Sequence, residues 1–392
     1  MQWFSEVSTG SSALDVCIER ISQKLADPTL LIAFVSPDLA GRVAERLQEA
    51  FPGAAVLGCS AAGVVGGGRE IEDGAALSLT AAALPDVAAV PFHMTMGRLP
   101  GASTPPEAWH ALIGVEPEVQ PVFLLIPDPY TFEPRALTNG LDDAYPDVPK
   151  IGGLASGGRR AGESLLLVGE PGRVVSHRAG VVGMALYGDI AMDTVVAQGC
   201  RPVGAPMVIT RCERNHVREL DGRPAIATLE LLFMSMTDSD QQLFRRSPML
   251  GLAMEIERRP LRQGDFLIRN IHGISRRSGA MAISALVAEG MVVQFHVRDA
   301  ETSTRDLTEL LSRHKRRPDY EAPAGGLLFS CLGRGKQFYG TTGHDSKIIR
   351  NNLGKVPVGG FFCNGEIGPV HGRTFLHGYT SALGLFSAPG WS

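Results

Sequence analysis

The sequence predicts an α+β fold in two domains, built from internal strand–helix–strand–strand repeats with mixed sheets. Three observations predict it. Short apolar and β-branched runs alternate with stretches of helical periodicity, as in strand–helix–strand units. Three times such a unit runs into a glycine turn of one spacing: GCSAAG from Gly58 to Gly63, GGLASG from Gly152 to Gly157 and GFFCNG from Gly360 to Gly365. The chain has 392 residues, enough for two domains with sizeable cores, divided here as 1–200 and 201–392.

The elements follow in order. Ser8–Thr9 precede a mixed apolar run and cap a helix through about residue 25. Residues 30–35 are a β-branched strand, ended by Ser36–Pro37–Asp38. A helix over 39–51 turns Val43, Leu47 and Ala50 inward until Pro52–Gly53 breaks it. A strand at 54–57 enters the first glycine turn, and strands at 75–82 and 87–93 follow. The tract 97–106, rich in Pro and Gly, is a surface loop. The plan then returns: strand 121–126, helix 134–144 broken by Tyr145–Pro146, strand 148–151 into the second turn, and strands 164–168 and 180–187. Next comes a different block, with a hairpin at 207–213 and 216–220, a helix over 225–234, and a meander at 265–274, 280–285 and 291–297. The segment 238–260 resists placement. After a helix at 302–313, the third copy has a strand at 327–332, a helix capped by Asp345 or Ser346 and stopped by Gly354, and a strand into the third turn.

Composition narrows the function. Hydrophobic residues at 44%, charged residues at 20% and a formal charge of −4 describe a globular chain without a nucleic-acid footprint. The six cysteines are dispersed, with no CxxC pair and no zinc-ligand spacing, so free thiols in a reducing cytoplasm are expected. The start MQWFSEVSTGSS lacks the charged and apolar regions of a signal peptide, and no apolar stretch of about 18 residues exists, so no membrane insertion is expected. GxGxxG with a downstream acid, HExxH and the P-loop spacing are absent, and no cofactor or metal is expected.

The stretch PVGGFFCNGEIGPVHGRTFLHGY, 357–379, carries the densest chemistry. It opens as a buried strand, turns through Gly365 and Gly368–Pro369, and re-emerges at Arg373–Phe375. Cys363, Asn364 and Glu366 sit at the turn, with His371 and His377 near in sequence. This is either a built site or a tight structural corner. Glu366 and Arg298 have the opposite charges that an amino acid's ammonium and carboxylate need. They equally suit a structural salt bridge, and Asp299 suits a helix cap. Cys363 is a nucleophile if a histidine reaches it, and otherwise a small buried residue. Gly333–Arg334–Gly335 before Lys336 offers a weak anion cradle.

These motifs resemble a known family. VLGCSAAGVV with EIEDGAALSLTAAAL resembles the FIST N domain. ITRCERNHVRELDGRPA, GDFLIRNIHGI, MVVQFHVRDA, GGLLFSCLGRG and GGFFCNGEIGPVHGRTFLHGYTSALGLF resemble the FIST C domain. The resemblance implies a stand-alone bacterial sensory module for a small polar ligand such as an amino acid, signalling through separate partners. Similar domains in F-box proteins imply a scaffold as an alternative, and a cofactor-independent enzyme using Cys363 or Glu366 is another. The family supplies no catalytic set. Its motif residues, read by residue type as ligand contacts, give Arg298, Arg334, Cys363, Asn364, Gly365, Glu366 and Arg269, with His377 added from the same stretch.

Overall fold

The computed structural model describes residues 1–101, 104–255, 260–275 and 277–389. Part of the loop at 97–106 and part of the unplaced segment 238–260 therefore lie outside the described residues. The chain forms two compact units: Met1–Val196 with Leu307–Leu376 and Thr380–Ser392, and Ala197–Asp306 with His377–Tyr379. The α+β class with two units and mixed sheets is as the sequence predicts.

In chain order the first unit begins with β1 (Gln2–Thr9), α1 (Ala13–Lys24), β2 (Leu30–Val35), α2 (Val43–Ala50), β3 (Ala55–Ser60), β4 (Val64–Gly66), β5 (Arg69–Ile71) and β6 (Ala76–Ala83). A second set repeats that order: β7 (Val87–Met94), α3 (Glu107–Ile113), β8 (Val122–Pro127), α4 (Pro134–Ala144), β9 (Lys150–Gly153), β10 (Leu166–Glu170), β11 (Arg173–His177) and β12 (Val181–Gly188). The third set opens with β13 (Ala191–Gln198) and is then interrupted by the second unit. That unit holds β14 (Cys200–Glu213), β15 (His216–Leu220), β16 (Arg223–Pro224), α5 (Ala225–Ser235), α6 (Asp238–Arg246), β17 (Met249–Ala253), β18 (Phe266–Ser275), β19 (Ala280–Ile283) and β20 (Val292–Arg298). The chain returns through α7 (Ala300–Lys315) to β21 (Gly325–Cys331), α8 (Lys336–Tyr339), α9 (His344–Leu353), β22 (Val358–Cys363), β23 (Glu366–Val370), β24 (Arg373–His377) and β25 (Thr380–Ser387).

Three six-stranded sheets of the first unit share one order. They run β1-β6-β2-β3, β7-β12-β8-β9 and β13-β25-β21-β22, and each is completed by a hairpin from another set. The second set lends β10–β11 to the first sheet, the third lends β23–β24 to the second, and the first lends β4–β5 to the third. In each sheet one pair is parallel, β2–β3, β8–β9 and β21–β22, because a helix crossover joins it.

Both faces of these parallel pairs are covered, which is why the strands read as unbroken apolar runs. Alternate residues of β2 divide between two cores: Leu30, Ile32 and Phe34 face a cluster shared by all three sheets, while Leu31, Ala33 and Val35 pack under α1 and α2. Phe34, Phe329 and Phe361 meet at the centre of the shared core, with ring centroids 4.6–6.3 Å apart. The first glycine of each turn has one physical reason. A side chain at Gly58, Gly152 or Gly360 would lie 1.8–2.0 Å from the carbonyl oxygen of Ala33, Leu125 or Leu328, its partner on the neighbouring parallel strand.

The second unit is antiparallel, in the order β14-β20-β17-β18-β19-β15-β16, and closes on itself because the long β14 pairs with both β20 and β15. Three expectations need correction. The sequence start is a strand, β1, rather than a lead-in to the first helix; its buried Trp3 and Val7 are too sparse to advertise it. Gly343, not Asp345 or Ser346, stands at the N-cap of α9. The chain re-enters a strand at Glu366, so the tight turn of that hairpin is at His371–Gly372, both with positive φ.

Candidate functional site

The parallel strands β3, β9 and β22 each end in a glycine corner, and the three corners meet. The Ser156 hydroxyl joins all three sets: it accepts from the Ala62 amide at 3.0 Å and donates to the Phe362 carbonyl at 2.5 Å. The Gly157 amide donates to the Ser60 carbonyl, the Phe362 amide to Gly63, and the Asn364 amide to Leu154. The Asn364 side-chain amide reaches the Ala155 carbonyl at 3.3 Å. The outer tips differ in chemistry at one repeat position, being Ala62, Ser156 and Asn364. Of these, Ala62 and Asn364 are exposed. Carboxyl ends of parallel strands are where α/β sheets commonly take ligands.

Two residues after Asn364 comes Glu366, fully buried. Its carboxylate accepts from the Thr380 amide at 3.0 Å and the Thr380 hydroxyl at 2.5 Å. Cys363 Sγ, also fully buried, donates to it at 3.6 Å and lies 3.3 Å from the Ser330 carbonyl. Burial pushes the Glu366 carboxyl up to about 7, against the hydrogen bonds from Thr380 and Cys363 and the field of Arg334. Burial, reinforced by the charge of Glu366, also holds the Cys363 thiol well above its ordinary value. A thiol so placed is a packed core group, not a ready nucleophile.

Arg334 is buried and grips Asp345 with two bonds, Nε at 3.0 Å and Nη2 at 3.1 Å. The Ser330 hydroxyl and His344 Nδ1 also meet that carboxylate, and His344 stacks on Tyr339 at 3.4 Å. Arg334 lifts the cost of burying Asp345, whose carboxyl stays well below the usual range. Two acids of the lent hairpin dock beside this group. Glu70 accepts from the Ser346 amide at 2.6 Å, and burial next to Asp345 raises it to about 7. Glu72 accepts from the Lys336 amide at 2.8 and 2.9 Å. The Gly333–Gly335 cradle weighed from the sequence thus holds an anion supplied by the chain itself.

The remaining candidates lie in the second unit. Arg298 sits over the ring of Tyr379, 4.9 Å from its centroid, and the Tyr379 hydroxyl donates to Asn270 at 2.6 Å. Arg269, next along β18, donates to the Ile268 carbonyl at 2.8 Å, and His377 is buried. Asp299 caps α7 through Glu301 and Thr302 and pairs with Arg201. The candidates therefore form two groups. Cys363, Asn364, Gly365, Glu366 and Arg334 belong to the first unit, and Arg269, Arg298 and His377 to the second. Sequence reasoning missed Ser60, Ser156, Glu70 and Glu72. Only Ser156 left a signal, as the polar residue at the repeat position that Asn364 occupies.

Among the described residues no cluster of His, Cys, Asp and Glu could hold a metal ion, and no helix is long and apolar enough to cross a membrane. An uncharacterised protein of Mycobacterium tuberculosis is 36% identical over 340 residues, 87% of this chain and 85% of that one. An uncharacterised protein of Mycobacterium bovis is 34% identical over 349 residues, 89% of this chain and 87% of that one. An F-box/LRR-repeat protein of Arabidopsis thaliana is 26% identical over 199 residues, 46% of this chain and 37% of that one. Among solved structures, a cyanuric acid hydrolase from A. caulinodans is similar with a TM-score of 0.38 and 8% identity, over 98% of this chain and 99% of that one. The FIST N domain model matches residues 29–223 and the FIST C domain model residues 227–369, so this chain belongs to the FIST family.

Proposed function

We propose that this chain is a cytoplasmic sensory protein that binds a small polar metabolite, an amino acid among the candidates, and signals through a separate partner. FIST domains are small-ligand sensory domains of signalling systems, which supports the class. The observation that carries the placement is the meeting of three strand-end corners at an exposed Asn364, two residues from the buried Glu366. The corner amides of Ala62, Gly157, Phe362 and Asn364 are spent on holding the corners together, so the exposed Asn364 carboxamide is the polar group offered to a ligand there. Glu366, raised by burial to about 7, changes charge near neutral pH and so can couple occupancy of the corner to protonation.

The test is a thermal-shift screen of amino acids and related metabolites, followed by calorimetry on Asn364→Ala and Glu366→Gln. The reading expects weaker binding in both variants. Unaltered affinity in both removes the site from these corners. The second-unit group of Arg298, Arg269 and His377 is tested separately by Arg298→Ala.

A further inference from the structure

The first unit has a cleft of about 320 Å³ away from the corners. Its walls come from β1, the β4–β5 turn, α9 and the approach to β22. One side is apolar, formed by Phe4, Ile349 and Val356–Val358. The charged side chains that line it are all cations: Lys24, Arg350 and Lys355. Lys24 is paired with Glu6. Arg350 and Lys355 are exposed, and neither side chain has an ion-pair or hydrogen-bond partner among the described residues. The guanidinium of Arg350 is laid against the Gly67–Gly68 turn. A side chain at Gly68 would come 1.9 Å from Arg350 Nη2, and both glycines have positive φ, so the turn keeps the fork's place clear.

We propose that this cleft binds a small organic carboxylate with an apolar body and no ammonium group. A guanidinium fork matches a planar carboxylate with two parallel hydrogen bonds, and Lys355 adds a second positive charge. The apolar wall takes the body of the ligand, and the volume lies at the small end of ligand pockets, room for on the order of ten to fifteen heavy atoms. An amino acid fits poorly, because its ammonium would enter a lining without an acid. The cleft shares no residue with the corners, so this inference goes beyond the proposal made for them, and either can fail alone.

The test uses benzoate and hexanoate as probes, with phenylalanine and benzyl alcohol as matched comparisons, by ligand-observed NMR and calorimetry on the full chain. The acids bind and saturate, while phenylalanine and the alcohol bind more weakly. Arg350→Gln and Lys355→Gln each raise Kd about tenfold, and the double variant about a hundredfold. Both positions are on the surface, and matching melting curves establish that the variants fold. No saturable binding of either acid below about 10 mM, the weak end of specific affinity, overturns the proposal. So does equal affinity in the double variant, or phenylalanine binding as tightly as benzoate.

Discussion

Replacing Glu366 by glutamine changes how the stability of the first unit depends on pH. The carboxyl lies fully buried and is displaced from 4.5 to about 7, with burial as the leading cause. Between those two values the folded chain holds a proton that the unfolded chain has released. The wild type is therefore most stable, as far as this group is concerned, below about pH 4.5. It loses that advantage as pH rises through 7. Integrated across the interval, the loss is about 3 kcal/mol. Glutamine keeps an oxygen for the Thr380 amide but cannot ionise. Urea unfolding followed by tryptophan fluorescence, with Trp3 and Trp109 both buried in this unit, reads the difference at pH 5, 6, 7 and 8. Glu70, raised in the same direction, is present in both proteins and cancels. The free-energy gap should move in favour of Glu366→Gln by about 2.5 kcal/mol from pH 5 to pH 8, slightly less than the full loss because pH 5 already lies above the unfolded value. Parallel pH profiles would refute a neutral-pH titration of Glu366.

Further outcomes follow from the same geometry. Gly152→Ala sets a methyl group 1.8 Å from the Leu125 carbonyl oxygen. The strands must part, at a cost above about 3 kcal/mol, seen as loss of the folded fraction or of the cooperative melt. Arg334→Met strands the buried Asp345 carboxylate and lowers stability by about 3–5 kcal/mol at pH 7, less as pH falls and the acid takes a proton. Of the six free cysteines, the partly exposed Cys212 and Cys331 react with a thiol reagent in the native protein, and the buried Cys17, Cys59, Cys200 and Cys363 only after denaturation. Fast labelling of Cys363 would contradict its burial.

Much of the fold was legible because its periodicities are local. The helix at 134–144 coincides with α4, started by proline and stopped before Pro146. The common glycines were legible as a repeat, and the carbonyl contact explains the first of each turn. The lent hairpins were not legible, since β4–β5 reads the same whichever sheet receives it. Asp345 looked like a cap because it opens a helix, yet Arg334, eleven residues earlier, claims it. Glu366 looked like a turn tip because glycines surround it. It pairs with Gly153 on β9, and the Thr380 amide and hydroxyl hold its carboxylate inside. The cleft at Arg350 left no motif, because its walls come from four separated segments.

The circular loan of hairpins has a consequence for biogenesis. The arm made from residues 64–71 belongs on β22, which a ribosome delivers nearly 290 residues later. Until then its docking edge does not exist, and the first sheet likewise waits for β10–β11. The first sheet has all its strands by residue 177, while the second waits for β23–β24 and the third for β21, β22 and β25. Until then β9 and the β4–β5 arm each keep an unpaired edge, and both remaining sheets are completed only by the C-terminal strands.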